Sequence, residues 1–232
     1  MDQTTPDTLT KSSVDQITDH LYKEITSLRL LPGARISETE IAQKFGVSRQ
    51  PVRDAFNRLA TMDLIRIRPK KATEVKKFST AAITKSRYIR AAIEAAVLRD
   101  ACKYCDDEAG SALDSALSLQ KQALVDRDTE AFGKLDYAFH KTLCDIAKAP
   151  FAYEVIQAEK AKVDRLCVLS LAKEDRMPEL VSDHQKIAEA VKASDEKAAQ
   201  EAGMIHLSRL DDTIARIRVQ RAAFFDDESA AD

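Results

Sequence analysis

With 5 glycines and 6 prolines in 232 residues, the chain is poor in helix breakers; it has no tryptophan, and aromatic residues make up only 6%. No apolar run approaches the roughly 20 residues needed to cross a bilayer, so no membrane partner is expected. The start, Met1-Asp2-Gln3-Thr4-Thr5-Pro6-Asp7, lacks the basic residues and apolar stretch of a signal peptide. A cytoplasmic protein is the expectation. Cysteine is sparse as well. Cys102, Cys105, Cys144 and Cys167 all stand in apolar, helical contexts that suit reduced, packed thiols. Cys102 and Cys105 form a C-x-x-C pair, but no second pair follows and no βαβ pattern surrounds it. Core packing and a redox or metal role both stay open there, with packing favoured.

The rest of the composition is that of a helical protein: 44% apolar and 32% charged. The length suits one large domain or two modest ones. A net charge of -2 hides an asymmetry. Residues 1–77 hold 14 basic against 10 acidic side chains, whereas the remainder holds 22 against 28. Within 49–77 the count is 9 against 3, a local basic segment suited to a polyanion.

Residues 1–12 are polar and read as a disordered tail. From Ser13, Val14, Ile17, Leu21, Ile25 and Leu28 recur at helical spacing, until Leu31-Pro32-Gly33 ends the pattern. Ser37-Glu38-Thr39-Glu40 is a capping box that starts a short helix. Gly46 supplies a turn, and Ser48 caps a further helix reaching about Met62. Two short helices around a glycine turn form a helix-turn-helix pattern, whose second helix enters the major groove. Arg49 suits a bidentate contact with guanine and Gln50 one with adenine, while Arg53 suits a base or a phosphate. Ser48, at the helix N-terminus, suits a phosphate. Leu64-Ile65-Arg66-Ile67-Arg68 and Thr73-Glu74-Val75-Lys76 then alternate like two strands. The turn between them carries Lys70 and Lys71, as a basic wing tip touching the DNA backbone would.

These stretches resemble the DNA-binding domain of the GntR superfamily of bacterial regulators. The likeness rests on Leu31-Pro32-Gly33-Ala34-Arg35-Ile36-Ser37-Glu38, on Gly46-Val47-Ser48-Arg49-Gln50-Pro51-Val52-Arg53-Asp54-Ala55, and on Leu64-Ile65. It implies that Arg49 and Arg53 read the operator and that Arg35 contacts a phosphate or base. Asp63 and Ala72 stand where the family usually has glycine, which puts the shape of the wing tip in question.

Beyond Phe78-Ser79-Thr80, where Thr80 is expected to cap a long helix, six helical stretches follow by periodicity. They cover roughly 80–106, 111–126, 128–147, 150–172, 177–194 and 195–223, with an acidic tail, 225–232, expected to be disordered. The expected fold is therefore mainly α. It combines a winged helix-turn-helix with a small β-wing at 13–77 and an antiparallel bundle of about six helices at 78–224. Asp136 and His140 lie at i and i+4 on one helical face, His184 opens an apolar helical pattern, and His206 lies within Met204-Ile205-His206-Leu207. Spacing alone leaves two readings: an Asp–His ion pair with unrelated histidines, or one metal site assembled from three helices.

After a GntR-type head, Asp136-Tyr137-Ala138-Phe139-His140, Asp183-His184-Gln185-Lys186-Ile187 and Met204-Ile205-His206-Leu207 resemble the FCD effector domain, in its VanR-like branch by the helix count. The resemblance implies that Asp136, His140, His184 and His206 hold a divalent metal, zinc first, with nickel or manganese as alternatives. It also implies that Arg90 points into an effector pocket that Tyr137 and Arg165 help to line, suited to a carboxylated metabolite. The expected function is a metabolite-responsive regulator, a repressor more often than an activator, that binds a palindromic operator as a homodimer. A metal-dependent hydrolase is a rival, but His-Glu-x-x-His and phosphate-loop motifs are missing. A DNA-architectural protein without an effector is a second rival.

Overall fold

The computed structural model describes residues 11–68, 72–167 and 173–226. The first helix, α1 (Ser13–Thr26), starts where the Ser12 hydroxyl accepts a hydrogen bond from the Asp15 backbone N–H. Its inner face, Ile17, Leu21 and Ile25, is fully buried. Helix α2 (Glu38–Phe45) starts at Ser37, which accepts from the Glu40 N–H, and ends at Gly46 in the left-handed conformation (φ 64°). Helix α3 (Arg49–Thr61) packs on α1 and α2 through Val52, Ala55, Phe56 and Leu59. Full burial of each large side chain is worth about 1.5–3 kcal/mol, so this three-helix contact supplies the core of the unit. Ser48 holds the N-cap position of α3, but its side chain makes no capping hydrogen bond.

The wing has three strands, one more than the alternation suggested. β1 (Arg35–Ile36), β2 (Ile65–Arg66) and β3 (Thr73–Val75) form an antiparallel sheet in the order β1-β3-β2, with Arg35 opposite Glu74 and Ile65 opposite Val75. At two residues, β1 is too short to show a period. Asp63 adopts the left-handed conformation (φ 61°) that a glycine would favour, and its carboxylate pairs with Lys76. The departure from glycine therefore keeps the tight turn after α3. Pro69, Lys70 and Lys71 lie outside the described residues.

The second unit is helical: α4 (Thr80–Tyr104), α5 (Asp107–Val125), α6 (Thr129–Ile146), α7 (Pro150–Cys167), α8 (Lys173–Lys192), α9 (Glu196–Ser208) and α10 (Leu210–Gln220). Side-chain caps set four of the starts. Ser79, one residue before the expected Thr80, caps α4, and Asp106, Asp128 and Asp195 cap α5, α6 and α9. Three expected boundaries move. α5 begins at Asp107 and not at 111, so Gly110 lies inside the helix. α8 begins before Pro178 and carries it inside the helix, leaving one first-turn carbonyl without a helical donor. The last expected helix divides at Arg209, whose N–H is shared between the Ile205 and His206 carbonyls. The described tail thus has seven helices, and a count of six lends no support to the VanR-like branch. Their core gathers Leu98, Ala101, Leu113, Phe139, Leu143, Ile187 and Val191, among others.

The chain divides into two compact units at Phe78/Ser79, and residues 223–226 return to the first unit. A short 3-10 turn (Ala222–Phe224) leads to Phe225, which is buried and packs on Phe78 with ring centroids 5.6 Å apart. The Phe78 N–H donates to the Phe224 carbonyl and the Asp226 N–H to that of Phe78. The expected disordered tail therefore does not include Phe225 and Asp226, because an aromatic side chain and two backbone bonds anchor them; 227–232 lie outside the described residues, as do 1–10. Among the described residues, no helix is long and apolar enough to cross a membrane.

Candidate metal centre and DNA-binding face

Helices α6, α8 and α9 bring four residues together. Asp136 and His140 lie one turn apart on α6, His184 comes from α8 and His206 from α9, and all four are buried. One ligand atom from each lies within 4.8 Å of all the others. The imidazole centroids are 5.6, 5.4 and 4.6 Å apart for His140–His184, His140–His206 and His184–His206. Of the two readings left open by spacing, the geometry favours a single cluster.

The surroundings decide which ring atoms face inward. His184 Nδ1 lies 2.8 Å from Gln120 Oε1, while Gln120 Nε2 donates to the Leu135 carbonyl at 3.1 Å. With its amide N committed there, Gln120 offers the ring an acceptor, so Nδ1 carries the hydrogen and Nε2 is bare. His140 Nδ1 lies 3.2 Å from Glu94 Oε2. An ionised carboxylate only accepts, so Nδ1 carries a hydrogen toward it and Nε2 is the ring nitrogen left facing the cluster. Phe139 stacks on His184 at 4.3 Å and fixes its plane. His140 Nε2, His184 Nε2 and His206 Nδ1 are all buried without a hydrogen-bond partner. Orphaned buried polar atoms are rare in folded proteins, and three of them facing one carboxylate form a ready donor set. Three imidazoles and a carboxylate suit a borderline divalent ion.

The charges agree. Burial would raise the Asp136 carboxyl, but the Lys160 ammonium and then the histidines outweigh it and hold the group well below the usual carboxylate range. Burial would likewise raise Glu94, yet Arg90 and His140 keep it ionised. Burial pushes His184 down to about 3, against the opposing pull of Asp136, and it pushes His206 well down too, helped by the other two rings. Neutral imidazoles beside an ionised carboxylate are the protonation states that a metal requires.

Arg90 is buried, and its Nε donates to Glu94 Oε1 at 2.8 Å. It therefore reaches the histidine cluster through Glu94. Tyr137 is half-buried beneath the Lys160 ammonium, which sits 4.1 Å from its ring centroid and 2.9 Å from Asp136 Oδ2. Arg165 is buried on α7. Of the cysteines, Cys102 and Cys144 are buried and free, with thiols pushed up by burial to about 11 and about 12, as inert core residues. Cys105 is free and half-buried.

On the first unit, Ser48, Arg49, Gln50 and Arg53 are exposed around the first turns of α3, and Arg35 is exposed on β1. Gln50 Nε2 donates to Asp54 Oδ1 at 3.0 Å, and Arg53 Nε to Glu38 Oε2 at 3.1 Å. Exposed pairs of this kind are worth at most about 1 kcal/mol, so a nucleic acid can displace them at small cost.

Residues 13–75 match the bacterial regulatory proteins of the gntR family, and residues 87–209 match the FCD domain. Over 213 residues the chain is 34% identical to the HTH-type transcriptional repressor RspR of Escherichia coli (strain K12), covering 92% of this chain and 93% of that one. The chain belongs to the GntR family. As a GntR-family protein with an FCD domain, it is a transcriptional regulator and not an enzyme. A further GntR-type relative is the probable D-xylose utilization operon transcriptional repressor of Paenarthrobacter nicotinovorans, at 27% identity over 86% of this chain and 88% of that one. E. coli McbR/YncC has a similar fold (TM-score 0.68, 20% identity, 91% of this chain and 99% of that one). So does a putative GntR regulator from Rhodococcus sp. RHA1 (TM-score 0.70, 22% identity, 89% and 99%).

The motifs of the GntR head and FCD tail omit three residues that the structure places at the cluster: Glu94, Gln120 and Lys160. Glu94 was within reach of the sequence, since it lies four residues after Arg90 on a helix, the spacing of an ion pair. Gln120 and Lys160 come from α5 and α7 and have no spacing relation to the histidines.

Proposed function

We propose that this regulator is a metabolite-responsive repressor. It binds a palindromic operator as a homodimer through α3, and a divalent metal with a small carboxylated effector occupies the helical unit. The observation that carries the reading is the set of three buried histidine nitrogens without a hydrogen-bond partner around Asp136, in a chain whose first unit presents arginines at the start of α3. Asp136, His140, His184 and His206 would hold the metal. Zinc ranks first on the donor set, with nickel and manganese next. When bound, the metal supplies a Lewis-acidic point that an effector oxygen can occupy. Arg90, Tyr137 and Arg165 are the candidate effector contacts, with Arg90 acting on His140 through Glu94.

Arg49, Gln50 and Arg53 would read bases, with Ser48, Arg35, Lys70 and Lys71 on the backbone. Pairing of two copies is supported by exposed aromatics on α4 and α7, which pack side by side: Tyr88 is 77% exposed and Phe151 73%. Two copies would set two recognition helices on two half-sites. The effector changes DNA affinity only by binding one arrangement of the protein better than the other.

The test is fluorescence anisotropy of the full chain on DNA from upstream of its own gene. Arg49→Ala should raise the Kd roughly 5- to 150-fold while circular dichroism stays unchanged, since one bidentate base contact is worth about 1–3 kcal/mol. Tight, sequence-specific binding by Arg49→Ala would overturn the assignment of α3.

A further inference from the structure

The chain connects the two units twice, and both connections meet at Phe78. Phe78 is where the chain leaves the first unit, and Ala223 is where it returns. Between them runs the helical unit, from the start of α4 at Thr80 to the end of α10 at Gln220. Phe78 and Phe225 form an isolated parallel bridge. The Phe78 N–H donates to the Phe224 carbonyl at 2.9 Å, and the Asp226 N–H donates to the Phe78 carbonyl, also at 2.9 Å. The returning segment thus engages both backbone polar groups of the residue from which the chain departs.

A linker residue turns freely only while its amide and carbonyl are bonded to water. At Phe78 any turn must first break two protein hydrogen bonds. The side chains add to the hold. Both phenylalanine rings are buried, with centroids 5.6 Å apart. The Asp226 carboxylate lies 4.0 Å from the Arg66 guanidinium on β2, an exposed and weak tie to the wing. A short segment held at one bridge is a local hold, of the kind that opens before the unit around it unfolds. Its other end is continuous with α10. Only Arg221 separates that helix from the 3-10 turn Ala222–Phe224. α10 is seated by buried Thr213 and Ile217, and it is already divided from α9 at Arg209. A displacement of α10 therefore reaches Phe225 without passing through α4.

We propose that residues 222–226 are a latch on the junction between the units, through which α10 controls how firmly the DNA-binding unit is held. Latched, the junction is fixed by both connections. Unlatched, Phe78 becomes an ordinary linker residue, and ordering the first unit on DNA costs more conformational freedom. The latch rests on the DNA-binding role of the first unit and is independent of the metal site.

Hydrogen–deuterium exchange of the full chain reads the latch, and anisotropy on DNA from upstream of its own gene reads its effect. Phe225→Ala removes the ring. Asp226→Pro removes the N–H that bonds the Phe78 carbonyl, and Asp226→Ala removes only the carboxylate. Loss of one hydrogen bond is worth roughly 2- to 12-fold in an opening equilibrium, so exchange in the peptide covering Phe78 should quicken by that factor in Asp226→Pro. Phe225→Ala should quicken it at least as much, while α1, α3 and the helical core exchange as in wild type. Both variants should bind the DNA several-fold more weakly, and Asp226→Ala should resemble wild type in both measurements. Unchanged exchange at Phe78 in Phe225→Ala and Asp226→Pro overturns the latch. Faster exchange throughout α1 and α3 also overturns it, since Phe225 is then a core residue of the first unit. Faster exchange at Phe78 with an unchanged Kd overturns the control of DNA binding. Failure of wild type to bind this DNA removes the operator reading, and the exchange measurement still decides the latch.

Discussion

Gln120 is fully buried on α5, and both ends of its amide are used, one by the Leu135 carbonyl and the other by His184 Nδ1. Glu94 does the equivalent for His140. Such partners fix the tautomer and orientation of a ligating ring, and their loss typically costs 10–100-fold in metal affinity. Gln120→Leu should therefore weaken metal binding by that factor in a competition titration with a chelating dye, while Gln120→Glu, which keeps an acceptor toward Nδ1, should weaken it less. Equal affinities in wild type and Gln120→Leu would show that His184 needs no help from α5. At this scale the sequence is legible where a motif repeats on one helix or matches a family signature, as for Asp136 and His140. It is silent on Gln120 and Lys160, because their relation to the histidines exists only after α5 has packed against α6 and α8, and α7 against α6.

Among the elements, helix starts are only partly legible: Ser37 caps as expected, but Ser48 makes no side-chain cap, Ser79 takes the place of Thr80, and α5 starts four residues before the expected 111. Ser37, Asp106, Asp128 and Asp195 each accept backbone N–H bonds at the head of a helix. Interruptions were less readable. Pro178 marks a break by propensity but lies inside α8, and the division at Arg209 has no glycine or proline to announce it. Arg209 instead reaches α8, where its guanidinium pairs with Asp183 and Glu179. Helix contact also gives meaning to Gly203 on α9. A Cβ there would lie 2.4 Å from Leu98 Cδ1 on α4, whereas one at Gly133 on α6 would meet nothing within 4 Å. Leu98 is buried in the core and has little room to yield. Gly203→Ala should destabilise the chain by about 1–3 kcal/mol in urea unfolding. Gly133→Ala should leave stability unchanged or raise it by up to about 1 kcal/mol through helix propensity. A Gly203→Ala chain as stable as wild type would mean that α4 and α9 do not meet as closely as described.

Across the whole molecule, the two-part organisation is visible in the sequence, because a basic, capped, helix-turn-helix segment gives way at Phe78 to uninterrupted helical periodicity. The return of the C-terminal segment to the first unit is not, because a lone buried Phe225 in acidic surroundings has no period to reveal it. The central claim concerns the buried cluster, and it makes the stability of the chain depend on a metal. The most direct measurement is thermal unfolding of the full chain after chelation, with zinc then added back, beside Asp136→Ala and His184→Ala. A ligand present at 100 times its Kd stabilises by about 2.7 kcal/mol. At roughly 2–4 °C per kcal/mol for a chain of this size, wild type should gain about 5–11 °C, and neither variant should respond. An unchanged transition in wild type, or an equal rise in the variants, would contradict the assignment of Asp136, His140, His184 and His206 as a metal centre.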